Sequence, residues 1–63
     1  MKITLRAARV NANIKQEEAA RAIGVDKATI INWEKGRTSP RLDQMDKLCR
    51  LYNAPIDDIF LPR

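Results

Sequence analysis

The stretch that most constrains this chain is QEEAARAIGVDKATIINWEKG, Gln16 to Gly36. It divides into a short helical run, Gln16–Ala22, a tight turn through Ile23-Gly24-Val25, and a second helical run, Asp26–Glu34. Gly24 supplies a turn geometry that a residue with a Cβ resists. Asp26 suits the N-cap of the second helix, and Gly36, with Lys35 beside it, suits its C-terminal stop. Glu17 and Glu18 fall in the first turn of the first helix, where the helix dipole favours negative charge. On a wheel of about 100° per residue, Ile30 and Trp33, with Thr29, share one arc of the second helix. Lys27, Ala28, Ile31, Asn32 and Lys35 share the opposite arc. The first arc is an apolar seam with a large aromatic; the second is mostly small or polar.

Two short helices joined by a Gly-containing turn are the sequence form of a helix-turn-helix, here about residues 16–34. Lys and Asn on the outer arc can hydrogen-bond base edges, so the second helix reads as a DNA recognition helix. The charge agrees. Net charge is +4 and the pI about 9.7, which favours acidic partners. Residues 1–41 hold nine Lys/Arg against four Asp/Glu, and residues 42–63 three against four. The positive field belongs to the helix-turn-helix part, as a nucleic-acid footprint should, although an ordinary basic surface gives the same count.

Sixty-three residues suggest one domain, 1–63, near the lower limit for folding without metal or disulfide. Cys49 is the single cysteine and there is no histidine, which excludes an internal disulfide and a Cys/His zinc site. With no paired carboxylates facing a cleft and no phosphate-cradling glycine loop, neither an enzyme nor a cofactor is expected. A reducing, cytoplasmic setting suits the composition. No apolar run reaches membrane-span length, and MKITLRAARV is too polar for a signal peptide.

The apolar spacing predicts three further helices. The first runs from about Thr4, a capable N-cap, to Asn11, with Leu5, Ala8 and Ala12 on one face and Asn13 as the break. Ala19, Ala20 and Ile23 of the second helix face the core, and Trp33 fills the volume the alanines leave. Ser39-Pro40 reads as an N-cap followed by a first-turn proline, opening a fourth helix to about Tyr52. Its apolar face is Leu42, Met45, Leu48, Cys49 and Tyr52. After Asn53-Ala54-Pro55, Ile56, Ile59 and Phe60 predict a last helical turn or two. The expected fold is all-α, a compact bundle of five short helices with no strand.

The segments LRAAR, QEEAARAIGV, TIINWEKGRTSP and LDQMDKLCRLYNAPIDDIF together resemble the phage repressor/Cro-like helix-turn-helix family of XRE-type regulators, from Leu5 to Phe60. Gln16, Gly24, the Trp33-Glu34-x-Gly36 run and Pro40 at family spacing carry the resemblance. It implies a lambda-repressor-like, five-helix domain that binds operator DNA, usually as a dimer on a near-palindromic site, to control transcription. The second helix would cross the DNA backbone while the third enters the major groove. The resemblance also implies an ion pair between Arg9 and Glu34, tying helix 1 to the end of helix 3. The chain departs from the family pattern at several positions. Lys15 replaces a capping Ser or Thr before helix 2, Asn13 a Gly, Ala19 a Leu, Ile31 a polar residue, and Pro55 a capping Ser.

Lys27, Ala28 and Asn32 are the expected base readers, with Thr29 and Ile31 as neighbours. For Lys27 a phosphate contact or plain solvation is the alternative, and for Ile31 an isolated surface apolar residue. Lys15, Gln16, Lys35, Arg37 and Arg41 are the expected backbone contacts, with Gln16 able to reach a phosphate or brace the recognition helix; solvated charges, and for Gln16 a solvated helix start, are the alternative. Arg41 matches a family position that can approach a narrow minor groove. Trp33 and Cys49 read as core. The expected partner is double-stranded operator DNA, bound by a weak homodimer formed or strengthened on DNA, with Ile56, Phe60, Leu61 and Pro62 as its patch. Neither a membrane nor a small-molecule ligand is expected as a partner. A protein-binding module of antitoxin type is the competing reading.

Overall fold

Each helix of this chain is bounded by its own end chemistry. The computed structural model describes residues 2–60, which form β1 (Ile3–Thr4), α1 (Leu5–Asn11), α2 (Gln16–Ile23), α3 (Lys27–Lys35), α4 (Leu42–Tyr52), a single 3-10 turn (Ile56–Asp58) and β2 (Ile59–Phe60). At the start of α1, Thr4 Oγ1 accepts from the Ala7 N–H at 3.0 Å. The N-caps of α2 and α4 are Lys15 and Arg41, whose side chains have no acceptor to offer. The reciprocal half of a capping box closes both ends instead. Glu18 Oε1 accepts from the Lys15 N–H at 3.0 Å, and Gln44 Oε1 from the Arg41 N–H at 2.9 Å. The Ser39-Pro40 start is therefore corrected: α4 opens two residues later, at Leu42, where Gln44 can reach back. Asp26 does sit at the N-cap of α3, but its side chain makes no capping bond.

All four helices stop in the same way. A residue in the left-handed region follows each: Asn13 (φ 62), Gly24 (φ 79), Gly36 (φ 78) and Asn53 (φ 54). The next amide then donates five residues back, Ile14 to Arg9 at 3.2 Å, Val25 to Ala20 at 2.9 Å, Arg37 to Asn32 at 3.0 Å and Ala54 to Cys49 at 3.0 Å. This is the Schellman closure, which satisfies carbonyls a helix end otherwise leaves bare. A Cβ on Gly24 would meet nothing within 4 Å, so its dihedral alone calls for glycine.

The core gathers Leu5 and Ala8 of α1, Ala19 and Ala20 of α2, Ile30 and Trp33 of α3, Met45, Leu48, Cys49 and Tyr52 of α4, and Ile59. Two consecutive buried alanines let α2 and α3 approach closely, and the larger Ile30 and Trp33 fill the space. Leu42 does not join that face; it is 78% exposed. Helical side chains tilt toward the N-terminus, so a residue at the first helical position projects past the end of its own helix.

The fifth helix is replaced. After the 3-10 turn the chain extends, and β2 pairs in parallel with β1, Ile3 opposite Ile59 and Thr4 opposite Phe60. The pairing gives both ends backbone partners and buries Ile59, a β-branched residue suited to a strand. The described fold is thus four α-helices, one 3-10 turn and a two-residue bridge. Of the expected dimer patch, Ile56 is exposed, while Leu61, Pro62 and the side chain of Phe60 lie outside the described residues.

Candidate nucleic-acid interface

Helix α3 turns Ile30 and Trp33 inward, which fixes its outward face by geometry. Lys27, Ala28 and Lys35 are exposed on that face, Ile31 and Asn32 are half-buried, and Thr29 is half-buried. Among the expected base readers, the structure therefore sets Lys27 and Ala28 out in solvent and Ile31 and Asn32 at the margin of the core.

A buried network holds the C-terminal end of α3. Arg9 Nε donates to Glu34 Oε2 at 2.6 Å and Arg9 Nη2 to Glu34 Oε1 at 3.3 Å, with side chains only 11% and 6% exposed. Arg9 Nη1 also donates to the Ile14 carbonyl at 2.8 Å, and Gln16 Nε2 donates to Glu34 Oε1 at 3.1 Å. One carboxylate thereby joins α1, the start of α2 and the end of α3. The hydrogen bond to Glu34 raises the Arg9 pKa above its ordinary value against the opposing effect of burial. Nearby Tyr52 has its phenol pushed up to about 12, chiefly by burial and then by the charge of Glu34. Gln16, expected on the DNA backbone, is engaged here as a brace.

The cations fall into two groups. Lys27 Nζ lies 3.0 Å from Glu17 Oε1, with side chains 51% and 54% exposed. Arg41 Nε lies 3.5 Å from Asp43 Oδ1. Lys15, Lys35 and Arg37 form no ion pair among the described residues. Arg37 also breaks a pattern. Ile14, Val25 and Ala54, which follow the left-handed stops of the other helices, pack against the core, as a Schellman closure favours. At the end of α3 that position carries an exposed arginine.

Between α1, the start of α2 and α3 lies a cleft of about 400 Å³ lined by Arg6, Arg9, Gln16, Ile31, Glu34 and Lys35. It adds Arg6 to the cations flanking α3, a residue the sequence reading passed over. The signal was its position three residues before Arg9, on the same flank of α1. The sequence placed Glu17 in a first turn beside Glu18 but not against Lys27. No sequence cue separates it from Glu18, because the choice depends on the angle between α2 and α3.

No group of His, Cys, Asp and Glu among the described residues could hold a metal ion. No described helix is long and apolar enough to cross a membrane. Cys49 is buried, and desolvation raises its thiol pKa, which disfavours the reactive thiolate.

The family model described as Helix-turn-helix matches residues 5–59. The chain is 42% identical over 55 residues to the cryptic phage CTXphi transcriptional repressor RstR of Vibrio cholerae, a match covering 87% of this chain and 50% of that repressor. The chain thus spans about half of that relative's length. It is 39% identical over 61 residues to an uncharacterised HTH-type transcriptional regulator of Archaeoglobus fulgidus, covering 97% of this chain and 86% of the relative. With another such regulator, of Methanothermobacter thermautotrophicus, it shares 40% identity over 62 residues, covering 97% and 90%.

Proposed function

The chain belongs to the Helix-turn-helix family, and from that premise we propose that it is a transcriptional regulator that binds operator DNA in a sequence-specific manner, with α3 in the major groove. The observation that carries this reading is the contrast between the two faces of α3. Ile30 and Trp33 are buried and Glu34 is locked to Arg9, while Lys27, Ala28, Ile31 and Asn32 are left for base edges. Asn32 can bond adenine in bidentate fashion, Lys27 can donate to guanine, and Ala28 and Ile31 can meet a thymine methyl, with Thr29 beside them. Lys15, Lys35 and Arg37 supply backbone affinity without sequence information, Arg6 at the cleft joins them, and Arg41 does so only on leaving Asp43. Gln16 acts mainly through Glu34.

A single short helix reads few base pairs, so a homodimer assembled on half-sites one turn (~34 Å) apart supplies the remaining specificity. The exposed Ile56, beside Pro55 at the far end of α4, supports a small apolar contact there. Selection of bound duplexes from a randomised pool, repeated across a salt series, tests the whole reading. A two-fold symmetric motif with affinity falling steeply as salt rises is the expected result. Salt-sensitive binding with no enriched motif would remove the base-reading roles, and no binding at low salt would remove DNA as the partner.

A further inference from the structure

We propose that Glu17 is a specificity-determining residue of the DNA-reading surface, holding Lys27 back from phosphates and reserving it for a base edge. This rests on the role of α3 just given. The contact joins the first turns of two helices, Lys27 Nζ of α3 lying 3.0 Å from Glu17 Oε1 of α2. Lys27 needs such a partner. Its charge sits at the positive end of the α3 dipole, where the one acidic residue that α3 itself offers is Asp26 at the N-cap, whose side chain makes no capping bond, and the first turn adds none. Glu18, the other carboxylate at the start of α2, accepts from the Lys15 N–H and so serves the helix end. Glu17 is the one left to face α3. Lys27 in turn holds the Glu17 carboxyl below its ordinary pKa.

An exposed pair of this kind adds little to stability. What it alters is the charge that DNA meets. A free lysine neutralises one phosphate and releases a counterion, whereas a lysine paired with glutamate brings no net charge to the backbone. To engage a phosphate, Lys27 must exchange one anion for another while Glu17 repels the newcomer. A guanine edge is different. The ammonium has three donors and can keep Glu17 while donating to the neutral acceptors O6 and N7.

The test compares the native chain with E17Q, K27Q and the E17Q/K27Q double variant. Each is titrated against the duplex recovered from the randomised pool and against a scrambled duplex, over a salt series, with melting curves to show that all four fold. We expect E17Q to bind the scrambled duplex more tightly, with a log–log salt slope steeper by roughly 0.9. A fourfold rise in salt then moves the E17Q-to-native affinity ratio by about threefold. The selected duplex gains less, so discrimination falls, and in the K27Q background the E17Q effect largely disappears. Equal slopes and equal discrimination for native and E17Q overturn the proposal. So does an E17Q effect of the same size without Lys27, which would make Glu17 a general repulsive charge. Native protein that binds no duplex at the lowest salt overturns the DNA-reading role as well; motif-specific native binding with an unchanged E17Q overturns this proposal alone.

Discussion

Helix α3 is held at its two ends by ion pairs of opposite character. At the C-terminal end, Arg9 and Glu34 are almost withdrawn from water, and Gln16 and the Ile14 carbonyl complete their hydrogen bonding. At the N-terminal end, Lys27 and Glu17 meet in solvent. A buried pair is expensive to break and indifferent to salt; an exposed pair is cheap to break and screened. One end of the reading helix is therefore fixed architecture, and the other is an adjustable charge.

The sharpest way to break this comparison is Glu34→Ala. It leaves the Arg9 guanidinium buried without its counter-charge, and the expected loss is about 3–5 kcal/mol by denaturant titration, comparable with the whole stability of so small a domain. Replacing both partners by an apolar pair, Arg9→Met with Glu34→Leu, should recover most of that loss. A single-variant loss no larger than that of an exposed pair would erase the contrast.

Next in size is an alkaline effect at Tyr52, which lies under the same end. Folding favours its neutral form, so its contribution is complete below the ordinary phenol value of 10 and is lost as pH rises through about 12. The amount is roughly 3 kcal/mol. Tyr52 is the only tyrosine, so its absorbance titration is unambiguous, and Tyr52→Phe should flatten the native decline in stability over that window. A phenol titrating at its ordinary value would show the site to be wetter than its burial implies.

Gln16→Ala removes one hydrogen bond donated to Glu34 and should cost about 1 kcal/mol, read as a modest fall in the denaturant midpoint. A fall in DNA affinity with no fall in stability would move Gln16 from brace to phosphate contact. The smallest stability effect belongs to Glu17→Gln. Its melting midpoint should match the native one, leaving the salt dependence and the discrimination of DNA binding as its signatures.

Much of this arrangement was legible in the chain. Apolar spacing located four helices, and Asn13, Gly24 and Gly36 marked where three of them stop, because those cues are local. Ile56, Ile59 and Phe60 misled for the same reason: a spacing of three and four is helical in isolation. The partner that makes the segment a strand, Ile3–Thr4, lies at the other end of the sequence. The β-branched Ile3, Thr4 and Ile59 were the available hint. Leu42 misled because periodicity continues to the first residue of a helix while its packing does not. In the site, the outward arc of α3 followed from its period alone. That Lys27 meets Glu17, and that Gln16 turns to Glu34, depends on how α2 and α3 pack, which no wheel contains.

The short bridge between β1 and β2 also has a kinetic meaning. Helices α2 and α3, adjacent in sequence, make the most extensive helix–helix contact, one that can form quickly. Pairing Ile3 with Ile59 instead closes a loop of nearly the entire chain, and the entropy of that closure is recovered only through two residues on each side. The clasp should be the last part to form and the first to open. Amide exchange at Ile3–Thr4 and Ile59–Phe60 should then run ahead of exchange in α2 and α3, so the helix pair can remain folded while the ends come apart.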